Sequence, residues 1–536
     1  MELDSALLEG GSGNGAVAPA DGGTEAANGR RPLPHHRVAV IGSGFAGLGM
    51  AIRMKQAGIE DFVVLERADE VGGTWRDNSY PGCQCDVPSH LYSFSFMPNP
   101  NWSRTYSTQP EIEAYLRRCA EEGGVTSHLR FGCDVVSADW DEGWRVWRIE
   151  TSRGPLTAEV LVAGSGPMSE PTVPAIPGLG SFEGTVFHSA EWDHGHDLRD
   201  RRVAVVGTGA SAIQFVPQIQ PEVSGLHLFQ RTPPWILPHP DRPTSRFERL
   251  LYRLFPPAQK LARAAVYLSR EPMVLGLVHN PRLLRLLERV AQRHLRRQVA
   301  DPELRRRLRP HYRIGCKRIL LSDDWYPALA QPNVELVTEA IRQVRPEGIE
   351  TADGTLHEVD TIIFGTGFKV TDPSIAHRVR GRNGLLAEAW RERMEAYLGT
   401  AVAGFPNFFM LIGPNTGLGH NSMVFMIESQ LNYVVDCIRT MDERGLGSVE
   451  LRPEAQREFN ADLQRRLEGT VWESGGCASW YLDSRGCNRT IWPRQTWSFR
   501  RLTRSFDLES YSVAPRPEGA PAAPGSLPAS AAADAL

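Results

Sequence analysis

At 536 residues, with 41% hydrophobic and 23% charged residues, the chain exceeds one ordinary domain and has the composition of a globular protein of two or three packed units. A formal net charge of −4 leaves no overall basic footprint for nucleic acid. No run approaches the ~18 apolar residues that span a bilayer, and Glu2 and Asp4 stand where an export signal carries basic residues, so no integral membrane segment and a cytoplasmic location are expected.

Residues 1–34 are rich in Gly, Ala, Asn and Pro and bury too little to offset chain entropy, so they are expected to be disordered. Val38-Ala39-Val40-Ile41 then feeds the turn Gly42-Ser43-Gly44-Phe45-Ala46-Gly47, and the apolar run Phe62–Leu65 ends in Glu66. This is a complete G-x-G-x-x-G unit, whose amides approach a pyrophosphate at a helix N-terminus while the carboxylate accepts ribose hydroxyls. Cys83-x-Cys85 lacks the C-x-x-C spacing of a redox pair and reads as two structural thiols. No disulfides are expected among the eight scattered cysteines, as in other chains of reducing compartments.

A second unit begins with Val203–Val206 and the turn Gly207-Thr208-Gly209-Ala210-Ser211-Ala212. Its next strand, Leu226–Phe229, leads to Gln230, Arg231 and Thr232. Glu66 follows Gly42 by 24 residues and Arg231 follows Gly207 by 24. A carboxylate there repels a 2′-phosphate and a guanidinium grips one, so the first unit suits FAD and the second NADPH. Residues 244–309, dense in Leu, Arg and Ala, predict a helical insertion in which the arginines read as a solvated face. Thr361–Phe364 runs into Gly365-Thr366-Gly367, and Phe408–Ile412 reads as a last buried strand that completes the first unit.

The fold expected is α/β, with two Rossmann-like dinucleotide-binding domains and a helical insertion. In chain order the domains are an FAD-binding part at 35–170, an NADPH-binding domain at 171–232 and 313–370 around the insertion at 233–312, the rest of the FAD domain with a substrate lid at 371–512, and a disordered tail at 513–536.

Between the two units, Phe182-x-Gly184-x-x-x-His188-x-x-x-Trp192-Asp193 matches the F-x-G-x-x-x-H-x-x-x-W-[P/D] fingerprint, and the chain resembles the type I Baeyer–Villiger monooxygenases. Gly72-Gly73-Thr74-Trp75, Tyr80-Pro81-Gly82, Cys85-Asp86, Lys317-Arg318 and Gly365-Thr366-Gly367-Phe368 extend the resemblance over most of the chain. It implies that NADPH reduces FAD, that the flavin captures O2 as a C4a-peroxide anion, and that this attacks a ketone to give an ester or lactone, without a metal. Arg318 matches the arginine that stabilises the anion and Asp86 the carboxylate that orients it. Lys317 resembles the partner of Arg231 at the 2′-phosphate. Gly73, Thr74, Trp75, Gln84, Cys85, Tyr92 and the backbone of Val135 match FAD contacts, and Phe182, Gly184, His188, Trp192 and Asp193 a coupling hinge.

Two other enzyme classes share the nucleotide features. An N- or S-hydroxylating flavin monooxygenase carries Tyr or Phe in place of Trp192, and a pyridine-nucleotide disulfide reductase needs a cysteine pair beside the flavin. A non-catalytic nucleotide-binding protein would leave Arg318 and Asp86 without a purpose. The stretch Gly413–Met426 is expected near the flavin and Trp472–Trp497 as a lid.

Overall fold

A computed structural model describes residues 33–483 and 485–519. The disorder expected of residues 1–32 and 520–536 lies outside them. At the start of the C-terminal tail that expectation is corrected: Tyr511–Pro515 pairs antiparallel with Leu446–Leu451, and Arg516 holds Glu159 at 2.8 Å. Main-chain bonding to a strand edge orders a segment whose own side chains bury little.

The first sheet has nine strands. His35–Ile41 lies parallel between Phe62–Leu65 and Leu156–Ala163, Leu129–Arg130 extends it on one side, and Phe408–Met410 pairs parallel with Leu156–Ala163. Val135–Asp141 and Val146–Thr151 add antiparallel pairing, and Val379–Gly381 with Gly384–Leu385 forms the far edge. Val38–Ile41, Phe62–Leu65 and Val160–Ala163, the stretches of the central strands that pair with one another, are apolar at every position because both faces are covered. Val38 and Val40 meet Leu48 and Leu431 in one cluster, whereas Ala39 meets Trp147 and Phe408 in another.

The second sheet has five strands, all parallel, in the order Val334–Val337, Gly225–Phe229, Arg202–Val206, Thr361–Phe364 and Thr185–His188. The first half of the 182–193 fingerprint is therefore an edge strand of this sheet. Helices Arg246–Leu254, Pro256–Arg270 and Arg285–Gln298 follow in the stretch read as helical. The helix Met423–Glu443 then packs against Phe45–Gln56 under the first sheet. Among the described residues no helix is long and apolar enough to cross a membrane.

Candidate active site

The first glycine turn forms the mouth of a cavity of ≈ 270 Å³. Gly42 has φ +90°, a left-handed conformation that favours glycine. A Cβ on Gly47 would collide with the Gly42 carbonyl oxygen, and one on Gly73 would lie 3.0 Å from the Gly44 Cα. The helix Phe45–Gln56 starts at Gly44 with no side-chain cap, so its first amides are left for a ligand. Gly42, Gly44, Phe45, Ala46, Glu66, Gly73, Thr74, Trp75, Tyr92 and Val135 all line the cavity. Phe45 and Trp75 each meet Tyr92 edge to face, at 5.1 and 5.5 Å. Trp75 Nε1 donates to the Tyr92 hydroxyl (3.0 Å), whose phenol burial pushes up.

Glu66 is buried and already engaged. Its Oε2 accepts from the Ser43 amide (2.8 Å) and hydroxyl (2.7 Å), and its Oε1 accepts from Ala68 N (3.0 Å) and Arg76 Nη1 (3.3 Å). The carboxylate has about four lone-pair sites, so a further hydroxyl donor would have to displace one of the four, and the Arg76 contact is the longest of them. The Val135 carbonyl accepts from Arg378 Nη1 (2.7 Å).

Arg318 also lines the cavity. It donates from Nε to Asp86 Oδ2 (2.5 Å) and from Nη2 to Asp86 Oδ1 (2.6 Å), a bidentate pair. Burial opposes the Asp86 charge, but the attraction and hydrogen bonds of Arg318 outweigh it and hold the carboxyl below its usual range. Asp86 in turn raises Arg318 far above its ordinary value, so the guanidinium stays charged. Nη1 makes no hydrogen bond among the described residues. Beside the pair, the buried Tyr481 hydroxyl has no partner among the described residues. Burial pushes that phenol up to about 12, with Arg318 pulling it down and Asp86 pushing it up.

Gln84 and Cys85 face protein instead of the cavity. Gln84 Nε2 donates to Tyr106 O (2.8 Å), its backbone exchanges bonds with Gln214, and Cys85 N donates to Ser107 O (2.9 Å). Cys83 and Cys85 are separate buried thiols. Burial raises both, Cys83 to about 12.

The second turn repeats the first with a difference. Gly207 has φ +116°, and a Cβ there would strike the Gly365 carbonyl. Residues 209–211 form a turn before the helix begins at Ala212. Ala212 is fully buried where the first unit has Gly47. Thr208 Oγ1 donates to Thr232 O (3.2 Å). Arg231 is exposed, and Lys317 sits 5.3 Å from the Tyr312 ring centroid. Burial and then the Arg231 charge push Lys317 down. Two cations thus converge with no carboxylate paired to either among the described residues, which suits a phosphate.

In the fingerprint, His188 is buried. Its Nδ1 accepts from Ala190 N (3.1 Å), its Nε2 has no partner among the described residues, and burial pushes it down to about 4. Trp192 packs against Phe187 and Phe215 (5.2 and 5.3 Å). A Cβ on Gly184 would meet the Asp360 carbonyl, and Phe182 packs on the second sheet. Asp193 Oδ1 accepts from Gly195 N (2.9 Å).

The expectation of no disulfides is corrected. Cys316 and Cys477, 161 residues apart, are bonded with a Cα–Cα separation of 6.2 Å. The compartment argument said nothing of which cysteines the fold brings together. The bridge ties the loop carrying Lys317 and Arg318 to the stretch carrying Trp480 and Tyr481. The cavity also takes Gly164–Ser169 and Arg378, which sequence reasoning missed. The Gly164-Ser165-Gly166 turn after the strand Leu156–Ala163 was the available signal. Away from the cavity, His227, Glu335 and His357 hold possible ligand atoms within 4.8 Å of one another. His227 Nδ1 lies 2.9 Å from Glu335 Oε2, and a carboxylate bridging two imidazoles accounts for the group.

Residues 39–242 match the pyridine nucleotide-disulphide oxidoreductase family. A Baeyer-Villiger monooxygenase of Streptomyces coelicolor is 54% identical over 506 residues, covering 94% of this chain and 98% of the relative. One of Pseudomonas aeruginosa is 51% identical over 486 residues, covering 90% and 92%. Among solved structures, OTEMO in complex with FAD and NADP superposes with a TM-score of 0.81 at 28% identity, and an oxidized steroid monooxygenase bound to NADP with 0.78 at 30%. Each covers 90% of this chain and is itself covered in full.

Proposed function

We propose, for a chain that belongs to the Baeyer–Villiger monooxygenases, that this flavin-dependent enzyme uses NADPH and O2 to insert one oxygen atom beside a ketone carbonyl, giving an ester or lactone and water. Structural neighbours named for binding FAD and NADP support both cofactors. The fit to this chain's own residues is the uncapped helix N-terminus and the glycine cradle at Gly42–Gly47 for FAD, and the Arg231–Lys317 pair for the 2′-phosphate of NADPH. On this reading residues 35–170 with 371–512 form one Rossmann-like domain and 171–232 with 313–370 a second, interrupted by a helical insertion.

When bound, FAD supplies the activation of O2 with electrons from NADPH. The chain supplies the rest. Phe45, Trp75 and Tyr92 form an aromatic wall that keeps water from one side of the cavity. Glu66 accepts ribose hydroxyls. Asp86 holds the Nε/Nη2 edge of Arg318, so that its remaining N–H groups would present a fixed positive charge to the anionic oxygen that attacks the ketone and to the tetrahedral adduct that follows. Tyr481 stays protonated and adds a neutral donor beside them. His188, neutral at pH 7, acts through packing rather than proton transfer.

The observation that carries this reading is the bidentate Arg318–Asp86 pair at the edge of the cavity opened by the first glycine turn. Aerobic NADPH oxidation by the holoenzyme with a panel of ketones, amines and thioethers, read by mass spectrometry, is expected to give esters or lactones one oxygen heavier than the ketone. Formation of N- or S-oxides alone, with every ketone returned unchanged, would refute it.

A further inference from the structure

The helical stretch 244–309 is charged and exposed in a way that the composition of the whole chain conceals. It holds sixteen Lys and Arg against five Asp and Glu, an excess of eleven positive charges in a chain of net charge −4. The acids are largely spoken for: Glu248 pairs with Arg242 (2.6 Å), Glu288 with Arg313 (3.0 Å) and Glu303 with Arg306 (2.5 Å). Glu271 is buried against Thr496 and Asn421, and Asp301 caps the helix Pro302–Arg307. Lys260, Arg285 and Arg289 are exposed with no ion pair among the described residues.

The same stretch exposes its apolar residues. Among the described residues, eleven of the twenty-one exposed large hydrophobic side chains fall between Phe247 and Val290. A surface helix ordinarily turns its i, i+3, i+4, i+7 stripe to the core. In Arg246–Leu254 that stripe is Phe247, Leu250, Leu251 and Leu254, and the helix has no buried residue at all. Phe247 is 73% exposed and Leu254 75%, so the stripe faces out. The next helix, packed on this one, exposes Leu261 and Leu268 at a spacing of seven, and Arg285–Gln298 exposes Leu286 and Val290 between Arg285, Arg289 and Arg293.

An apolar stripe exposed along a helix in this way marks an interaction site, and the charge around it selects the partner. A second copy would set eleven surplus positive charges against eleven. A nucleic acid would use the arginines and leave Phe247 and Leu254 in water. An anionic phospholipid surface satisfies both features, with leucine and phenylalanine entering the headgroup boundary and Lys and Arg meeting lipid phosphates and carboxylates. We propose that residues 244–309 dock the enzyme peripherally on an anionic membrane surface, lying on it without spanning it. The inference is independent of the reaction assigned to the cavity.

The test is sedimentation of the full-length holoenzyme with vesicles of phosphatidylcholine, with and without phosphatidylserine. Binding is expected to rise about tenfold with the anionic lipid and to fall as salt is raised. The exposed substitutions Phe247→Ser with Leu254→Ser, and separately Arg285→Glu with Arg289→Glu, are each expected to cut it by about tenfold. Flavin content and melting temperature should remain unchanged, since neither pair touches the core. Three results would overturn the proposal: no sedimentation with anionic vesicles, binding that both double variants leave intact, or a concentration-dependent dimer in which Phe247 and Leu254 become protected. Loss of ketone oxidation with vesicle binding retained would count against the oxygenase reading alone.

Discussion

Replacing Arg318 by alanine separates what the guanidinium does for the fold from what it does for the reaction. The side chains of Arg318 and Asp86 are 31% and 26% exposed. Two charge-assisted hydrogen bonds at about 1.5–3 kcal/mol each, discounted for that solvent access, give about 2 kcal/mol of stability for the pair. The catalytic effect is larger, because a missing donor aimed at a developing oxygen anion costs about 10²–10³ in kcat. Arg318→Ala is therefore expected to lower ester formation by about that factor while anaerobic reduction of the flavin by NADPH, followed at its visible absorbance, falls far less. The Arg318→Ala variant strands a carboxylate, and Asp86→Asn in the same chain removes that charge. The double variant should regain most of the lost stability in urea denaturation and none of the lost turnover. Ester formation within tenfold of wild type in Arg318→Ala, or its recovery in the double variant, would refute the assignment.

Arg231→Ala and Lys317→Ala are each expected to raise KM for NADPH by about 10- to 100-fold through loss of a charge-assisted phosphate contact, with little change for NADH. Equal effects on the two nucleotides would place the 2′-phosphate elsewhere. His188 has its folded pKa depressed to about 4 from 6.5, so the unfolded chain takes up the proton first. The stability this represents is complete above the ordinary value and is lost as pH falls through 6.5 toward 4, about 3 kcal/mol in all. Wild type should therefore lose that much more than His188→Gln across the window, and parallel curves would show the ring is not held neutral. Opening the Cys316–Cys477 bridge with a thiol reductant is expected to lower the unfolding free energy of wild type by about 2–4 kcal/mol and to leave Cys477→Ser unchanged. Alkylation of both cysteines before reduction would contradict the pairing.

What could be read in the sequence was what lies close along the chain. Gly42 and Gly47 announce a strand, turn and helix because one takes a left-handed φ and the other leaves room for the Gly42 carbonyl, and part of the cavity lining lies on that turn. Pairings across long separations were legible only through resemblance. Asp86 and Arg318 are 232 residues apart, and nothing in composition or period joins them. Cys316 and Cys477 had no such signal and were read as unpaired. The charge of 244–309 was visible as arginine density, yet a solvated face and a docking face have the same sequence period. Only the exposure of Phe247 and Leu254 tells them apart. The start of the C-terminal tail was misread for a related reason: its order comes from a strand edge at Leu446–Leu451, not from its own composition.

The fingerprint gains a physical role from its place in the second sheet. Thr185–His188 pairs with Thr361–Phe364, and His188 meets Phe368 at 5.9 Å, just past the point where that neighbouring strand leaves the sheet. The two crossings between the sheets are fastened to each other there: Thr172 N donates to Gly367 O (2.8 Å), Lys369 N to Glu170 O (3.0 Å), and Thr366 Oγ1 to Thr172 O. A buried imidazole at such a junction has two uses, as a titrating group or as a wedge. Its depressed basicity removes the first at neutral pH. As a wedge, it would carry a shift of the Gly207 turn, whose backbone lies against Gly365, into both crossings at once. His188→Gln should then slow a step that needs the two units to move while leaving the affinity for each cofactor intact, whereas His188→Ala, which opens a cavity, should weaken the junction itself. A His188→Gln variant that loses affinity for NADPH and keeps its turnover rate would make the residue a binding group and end the case for coupling.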